Sequence, residues 1–217
     1  MADPTFSEWL RACADEPWQR AVSHRFVAEL VTDAASEDVL RTYFTQDYQF
    51  VDRDVALIGE AVSCADRIGS RMVLARQLGV LGGAENTFFQ RAFDALRVAE
   101  PDRTRPRPHP TTTAFNELMD RARTSGSYAR CLSVLVVAEW LYLDWARSAP
   151  AELPENFLCR EWTEMHREPA FAAWVDWLRG ELDRIGRELD EQQREACRAL
   201  FVRAAELEAA FFDAAYA

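Results

Sequence analysis

The stretch Cys131-Leu-Ser-Val-Leu-Val-Val-Ala-Glu-Trp-Leu-Tyr-Leu-Asp-Trp145 decides the fold. From Leu132 to Leu143 it is long and apolar, yet it carries one acid, Glu139. At helical spacing Leu132, Leu135, Val136, Tyr142 and Leu143 lie seven, four or three residues from Glu139 and share its side. The spacing therefore predicts an inward-pointing carboxyl group. An ionised carboxylate is not buried without compensation, so Glu139 must be paired with an Arg of another helix, hydrogen-bonded or protonated. The first outcome is structural, and the others are the states that acid–base chemistry uses.

Two further stretches repeat the pattern. Ser36-Glu-Asp-Val39 resembles a capped helix start, after which Leu40, Tyr43, Phe44, Asp47, Phe50 and Val51 follow a helical period. Asp47, in Gln46-Asp47-Tyr48, is the second inward acid, and an ion pair with an Arg is its structural alternative. In the last helix, from about Glu191 to Tyr216, Phe201, Ala205, Glu208, Phe211 and Phe212 share a face. Glu208 is the third inward acid. Glu206 lies about 200° round from it and, with Arg203 three residues earlier, reads as a solvated charge. The three inward acids are expected to converge on one enclosed cavity.

The remaining segments are also helical in pattern. A helix over Phe6–Cys13 precedes one that starts at Pro17 and carries Trp18, Val22, Phe26 and Leu30, with His24 between them as a structural donor. A helix to about Ser63 is followed by another through Ile68, Met72, Ala75 and Leu78, which Gly82-Gly83 interrupts. Ala84–Val98 is amphipathic, Pro101–Pro110 reads as a connector with four prolines, and Thr111-Thr-Thr-Ala-Phe115 opens the next helix. Ser127 can cap the helix that holds Glu139. Phe157–His166 and a helix from Pro169 complete the set. No strand alternation, hairpin turn or internal repeat is present, so the expected fold is an all-α bundle, with residues 1–217 as a single domain.

The 217 residues suit one domain with a sizeable core, and 49% of them are hydrophobic. The net charge of −11, with 25 Arg and no Lys against 36 acids, argues against nucleic-acid and anionic-membrane partners. Five widely spaced Cys without a Cys-x-x-Cys pair read as reduced thiols, and no leader pattern or 18-residue apolar run is evident. A soluble, cytoplasmic protein is expected. Metal chemistry is disfavoured because the three His include no Glu-x-x-His, and no metal site or cofactor is expected. The GxSxG elbow, the P-loop and the dinucleotide fingerprint are missing as well. What remains is metal-free acid–base chemistry in an aromatic-lined pocket, where a carboxyl group binds a flat heterocycle and a second moves a proton.

The chain resembles the TenA family, the thiaminase II-like proteins of thiamin salvage with a haem-oxygenase-like helical bundle. The resemblance is carried by Trp18 with His24-Arg-Phe-Val27, by Tyr43-x-x-Gln46-Asp47-Tyr48, by Glu139-Trp140-Leu141-Tyr142, by Trp162 to His166, and by Phe201 to Tyr216 around Glu208. It implies that Asp47 holds an aminopyrimidine, that Tyr142 orients the site, and that Glu208 and Glu139 are the catalytic acids. Phe50, His166 and Phe115 are implied as substrate-contacting positions. The best-known branch of the family has a nucleophilic Cys where this chain has Ala138, so Glu139 resembles the acid of the branch that lacks it. His166 and Phe50 stand where the Cys branch has Tyr. The implied activity is cofactor-free hydrolysis of an aminomethyl- or formylaminomethyl-pyrimidine, by a homotetramer. The alternatives are an oxidase of another heterocycle on the same fold and a non-catalytic binding or regulatory protein.

Overall fold

The computed structural model describes residues 4–217. Among them there is no strand, and the backbone is a succession of helices. They fall into two compact units, each made of segments distant in sequence: one holds residues up to Ala35 with Leu132–Ala209, the other Ser36–Cys131 with Ala210–Ala217.

The first unit opens with α1 (Phe6–Cys13), α2 (Asp15–Val22) and α3 (Arg25–Val31). Thr5 and Glu8 form a reciprocal capping box that starts α1. The expected single helix from Pro17 to Leu30 is broken at Ser23–His24. There the His24 ring nitrogen Nδ1 accepts from the Phe26 amide at 3.0 Å, so His24 has a structural role, as the N-cap of α3. Trp18 then packs flat on Phe201 at 6.0 Å and edge-on to Trp140 at 5.2 Å, with its indole N–H donating to Asp144 at 3.0 Å.

The same unit takes in α9 (Tyr128–Ser148) from Leu132 onward, α10 (Phe157–Arg167), α11 (Pro169–Gly186) and α12 (Glu191–Ala214) as far as Ala209. Ser127 caps α9 through the Arg130 amide, and Asp190 and Gln193 cap α12 reciprocally. Nearly the whole of α9 is enclosed: Leu132, Val134, Leu135, Val136, Val137 and Leu141 have no exposed surface, and only Ala138, Trp140 and Asp144 mark a wetter side between Leu132 and Ala146. A helix apolar on most sides is stable only when buried on most sides. Helix α1 is set close to α11 by Gly186, where a Cβ atom would stand 2.4 Å from the Phe6 ring, and by the Ser7 amide, which donates to Asp183 at 2.6 Å.

The second unit is built on α4 (Glu37–Cys64), capped by Ser36 as expected. Against it lie α5 (Ile68–Val80), α6 (Asn86–Ala95), α7 (Glu100–Thr104) and α8 (Pro110–Arg123). Two expectations change here. Gly82-Gly83 does not end the helical path, because Leu81–Glu85 continues it as a π-turn into α6. The proline-rich connector contains one short helix, α7, with Pro101 in its first turn, where a missing N–H is harmless. On α5 the apolar residues Ile68 and Met72 face outward, 72% and 52% exposed, while Ser70 and Leu74 are buried. The core of this unit is aromatic: Phe44 meets Phe88 at 5.4 Å, and Tyr48 meets Phe89 and Phe93 at 5.1 and 5.3 Å.

Candidate active site

In the first unit α9 carries Glu139 and Tyr142, α10 carries His166 and α12 carries Glu208, and all four side chains are buried. Glu139 makes no ion pair and no well-formed hydrogen bond with any described residue, so its Arg-paired alternative is ruled out. Burial pushes its carboxyl up to about 7, while the nearby indole of Trp174 acts weakly in the opposite sense. Glu139 therefore holds its proton far above the usual carboxylate range, as a group that gives and takes a proton near neutral pH must.

A second acid of this unit supplies the contrast. Glu181 is as buried as Glu139, but both of its oxygens accept from the Arg184 guanidinium, at 2.7 and 3.0 Å. A buried carboxylate kept for structure is held as an ion pair of this kind. Glu139 lacks one. Glu208 is 2% exposed on the apolar face of α12, whereas Glu206 is half-exposed and bonded to Arg203 at 2.9 Å, as its position predicts.

Tyr142 and His166 meet with ring centroids 4.9 Å apart, and Trp162, Phe171 and Trp145 complete an aromatic cage round the imidazole at 4.5, 5.0 and 5.9 Å. His166 Nδ1 lies 2.7 Å from the Trp162 carbonyl oxygen. A carbonyl only accepts, so Nδ1 carries the hydrogen and Nε2 keeps its lone pair. Burial pushes the His166 pKa down to about 4, against the opposing pull of that carbonyl, so the ring is neutral at pH 7. It can accept a hydrogen bond through Nε2 without bringing a charge.

In the second unit Asp47 is buried on α4 and makes no ion pair or hydrogen bond with any described residue. Desolvation alone pushes its carboxyl up to about 8. At neutral pH it is a carboxylic acid, with one O–H to donate and one carbonyl oxygen to accept. That donor–acceptor edge matches a ring nitrogen flanked by an exocyclic amine. Its neighbours in Gln46-Asp47-Tyr48 have a different task. Gln46 Oε1 accepts from the His109 amide at 2.8 Å and the Thr112 hydroxyl at 2.7 Å, and its Nε2 donates to the Arg107 carbonyl at 3.1 Å. Tyr48 donates to Asn86 at 2.6 Å. The flanking side chains thus clamp α4 to the start of α8 and to α6, and Asp47 is left to face inward. Phe50 and Phe115 meet edge to face at 4.6 Å, and Phe50 also approaches Phe211 at 6.5 Å.

Asp54, seven residues after Asp47 on the same side of α4, is a buried acid that the sequence reading passed over. The helical period contained that signal. The supporting roles of Trp174, Trp145 and Gln46 had no local signal, because each depends on a partner distant in sequence. Among the described residues no three His, Cys, Asp or Glu side chains are grouped to hold a metal ion, and no helix is long and apolar enough to cross a membrane.

Comparison with known proteins agrees with this geometry. An aminopyrimidine aminohydrolase of Bacillus subtilis is 22% identical over 211 residues, 97% of this chain and 89% of that protein. One of Helicobacter pylori is 23% identical over 215 residues, covering 97% and 98%. Among solved structures, a TenA homologue from Pyrococcus furiosus superposes with a TM-score of 0.86 at 18% identity, over 97% of this chain and 100% of that one. A domain from Shewanella denitrificans with a heme oxygenase-like fold does so with a TM-score of 0.71 at 12% identity, over 99% and 93%. The fold is the haem-oxygenase-like helical bundle expected from the sequence. Residues 11–217 match the TENA/THI-4/PQQC family, and the chain belongs to that family.

Proposed function

We propose that this protein is a hydrolase of thiamin salvage that acts on an aminomethyl- or formylaminomethyl-pyrimidine derived from thiamin. The observation that carries this reading is the pair of buried carboxyl groups without ionic partners, Asp47 and Glu139, in a chain whose relatives are named aminopyrimidine aminohydrolases. Asp47 holds the aminopyrimidine edge with its neutral acid group. Glu139 and Glu208 move protons: one takes a proton from the attacking water, and the other gives one to the departing nitrogen. With an aminomethyl substrate, the C–N bond breaks, water supplies the new C–O bond, and ammonia leaves. With a formylaminomethyl substrate, the amide bond breaks and formate is released. Tyr142, His166, Phe50 and Phe115 contact and orient the ring. Ala138 supplies no nucleophile, which supports direct attack by water over a covalent intermediate.

Ammonia or formate release from an aminomethyl- and a formylaminomethyl-pyrimidine tests the reading. Glu139→Gln and Glu208→Gln should each keep the fold and lose about 10²–10⁴-fold in turnover, with Glu206→Gln near wild type as the control. Wild-type rates in both Gln variants would show that the inward acids are structural.

Residues 1–217 are proposed to work as one domain, in a cytoplasmic homotetramer. The match from residue 11 to the end, the five free thiols and the outward-facing Val55, Ile68, Met72 and Val80 support this assignment. Light scattering at micromolar concentration should give about four times the 24.8 kDa chain mass, and a monomer would refute it.

A further inference from the structure

The second unit contains a cavity of about 560 Å³ on the outer side of α4, within the size range of small-molecule sites. Of the α4 residues that line it, Tyr48 and Asp52 lie about 100° and 140° round the helix from Asp47 and Val51 about 40°, and Asp47 itself is not part of the lining. In a chain with a net charge of −11, three guanidinium groups gather here, those of Arg53, Arg103 and Arg105, against one lining carboxylate, Asp52.

The three Arg side chains are not equally engaged. Arg103 is held by Asp94 at 2.8 Å and by the Val98 carbonyl at 2.9 Å. Arg53 lies 3.5 Å from Asp52, but its Nε–H is buried without an acceptor, and the Asp120 oxygen at 3.9 Å is beyond hydrogen-bonding reach. The Arg105 side chain makes no ion pair or hydrogen bond with any described residue, which leaves its whole fork available. A planar guanidinium matches the paired oxygens of phosphate and carboxylate.

Asn116, also on the wall, has its Oδ1 buried without a donor. One buried donor and one buried acceptor on the same wall, each without a protein partner, are uncommon in a folded protein and call for a polar occupant. The rest of the lining, including Val51, Leu81 and Pro106, is apolar.

We infer that this cavity is a second binding site, for a small organic anion whose phosphate or carboxylate sits on the Arg105 fork, whose N–H or O–H reaches Asn116, and whose apolar body lies against Val51, Leu81 and Pro106. The site is independent of the hydrolase reading and uses none of its residues.

Isothermal titration of the full chain at fixed ionic strength, with 4-hydroxyphenyl phosphate, 4-hydroxybenzoate and inorganic phosphate in turn, tests the inference. 4-Hydroxyphenyl phosphate or 4-hydroxybenzoate should bind saturably at one site per chain, and the tighter of the two identifies the anionic group. Inorganic phosphate, which lacks the apolar body, should bind more weakly. Arg105→Ala should weaken binding by about tenfold to a hundredfold, as for loss of a charged hydrogen-bonding pair, and Arg105→Glu should abolish it. Arg105 is exposed and its side chain makes no internal bond, so neither variant should move the melting temperature. Asp47→Asn should leave the affinity unchanged. Absence of saturable binding by all three probes would overturn the inference, as would equal affinities in the Arg105 variants and the parent, or an affinity that changes with Asp47 and not with Arg105.

Discussion

Replacing Asp47 with Asn keeps the shape of the side chain and removes its proton equilibrium, which turns the burial of this acid into a stability measurement. In the unfolded chain Asp47 ionises near 3.8, and in the fold desolvation holds it at about 8. Because the folded value is the higher, the contribution of this group is most favourable below about pH 4 and is lost as pH rises to about 8. At pH 7, about 3 pH units above the unfolded value, the loss is about 4 kcal/mol, at about 1.4 kcal/mol per unit. Asn escapes that loss but must bury an amide in the same unpartnered position, which costs about 1–3 kcal/mol. The net gain at pH 7 should therefore be about 2 kcal/mol, while at pH 4, where the parent loses only about 0.5 kcal/mol, the variant should be the weaker by about 1–2 kcal/mol. Urea unfolding of both proteins at intervals between pH 4 and 8 reads the difference directly. A variant-minus-parent stability that rises with pH and changes sign confirms a neutral buried acid, and turnover of the pyrimidine substrates should fall in the same variant. Parallel stability curves across that range would mean that Asp47 is ionised and compensated in the fold, and the reasoning from burial would fail.

The other predictions use the same physics elsewhere. The folded pKa of His166 lies below its unfolded value, so its contribution is complete above about pH 6.5 and is lost as pH falls towards 4; His166→Phe should flatten that part of the acid unfolding curve, as followed by circular dichroism. Gly186→Ala would gain up to about 1 kcal/mol of helix propensity but push a methyl group into Phe6, where overpacking costs about 1–3 kcal/mol. A lowered melting temperature is expected, and Gly186→Ala should cost less in a Phe6→Ala background, which removes the Cγ and Cδ1 atoms that the methyl group meets. Cys131 is buried, with its thiol pushed up to about 12 chiefly by desolvation, so Cys131→Ala should leave turnover intact and native protein should resist alkylation there.

Through its ordered motifs the sequence showed the resemblance to the family, and by itself it determined the helical bundle and the inward turn of Asp47, Glu139 and Glu208. Those properties follow from a period of 3.6 residues, which a linear chain displays: Asp47 among Tyr43, Phe44 and Phe50, Glu139 within an apolar run, and Glu208 opposed to Glu206. Local capping was equally legible at Ser36 and Ser127, because cap and helix are adjacent in the chain. The break at His24, the π-turn over Leu81–Glu85 and the outward turn of Ile68 and Met72 were decided by tertiary packing, which overrides local preference where neighbouring helices supply or withhold partners. Only the structure could distinguish Glu139 from Glu181. Both are buried acids on apolar helices, and whether an Arg reaches the carboxylate depends on side-chain placement that no period records. The neutral state of His166, the clamp formed by Gln46 and the unengaged Arg105 beside Asn116 have the same origin, since desolvation and hydrogen bonding are properties of groups that meet only in the folded chain.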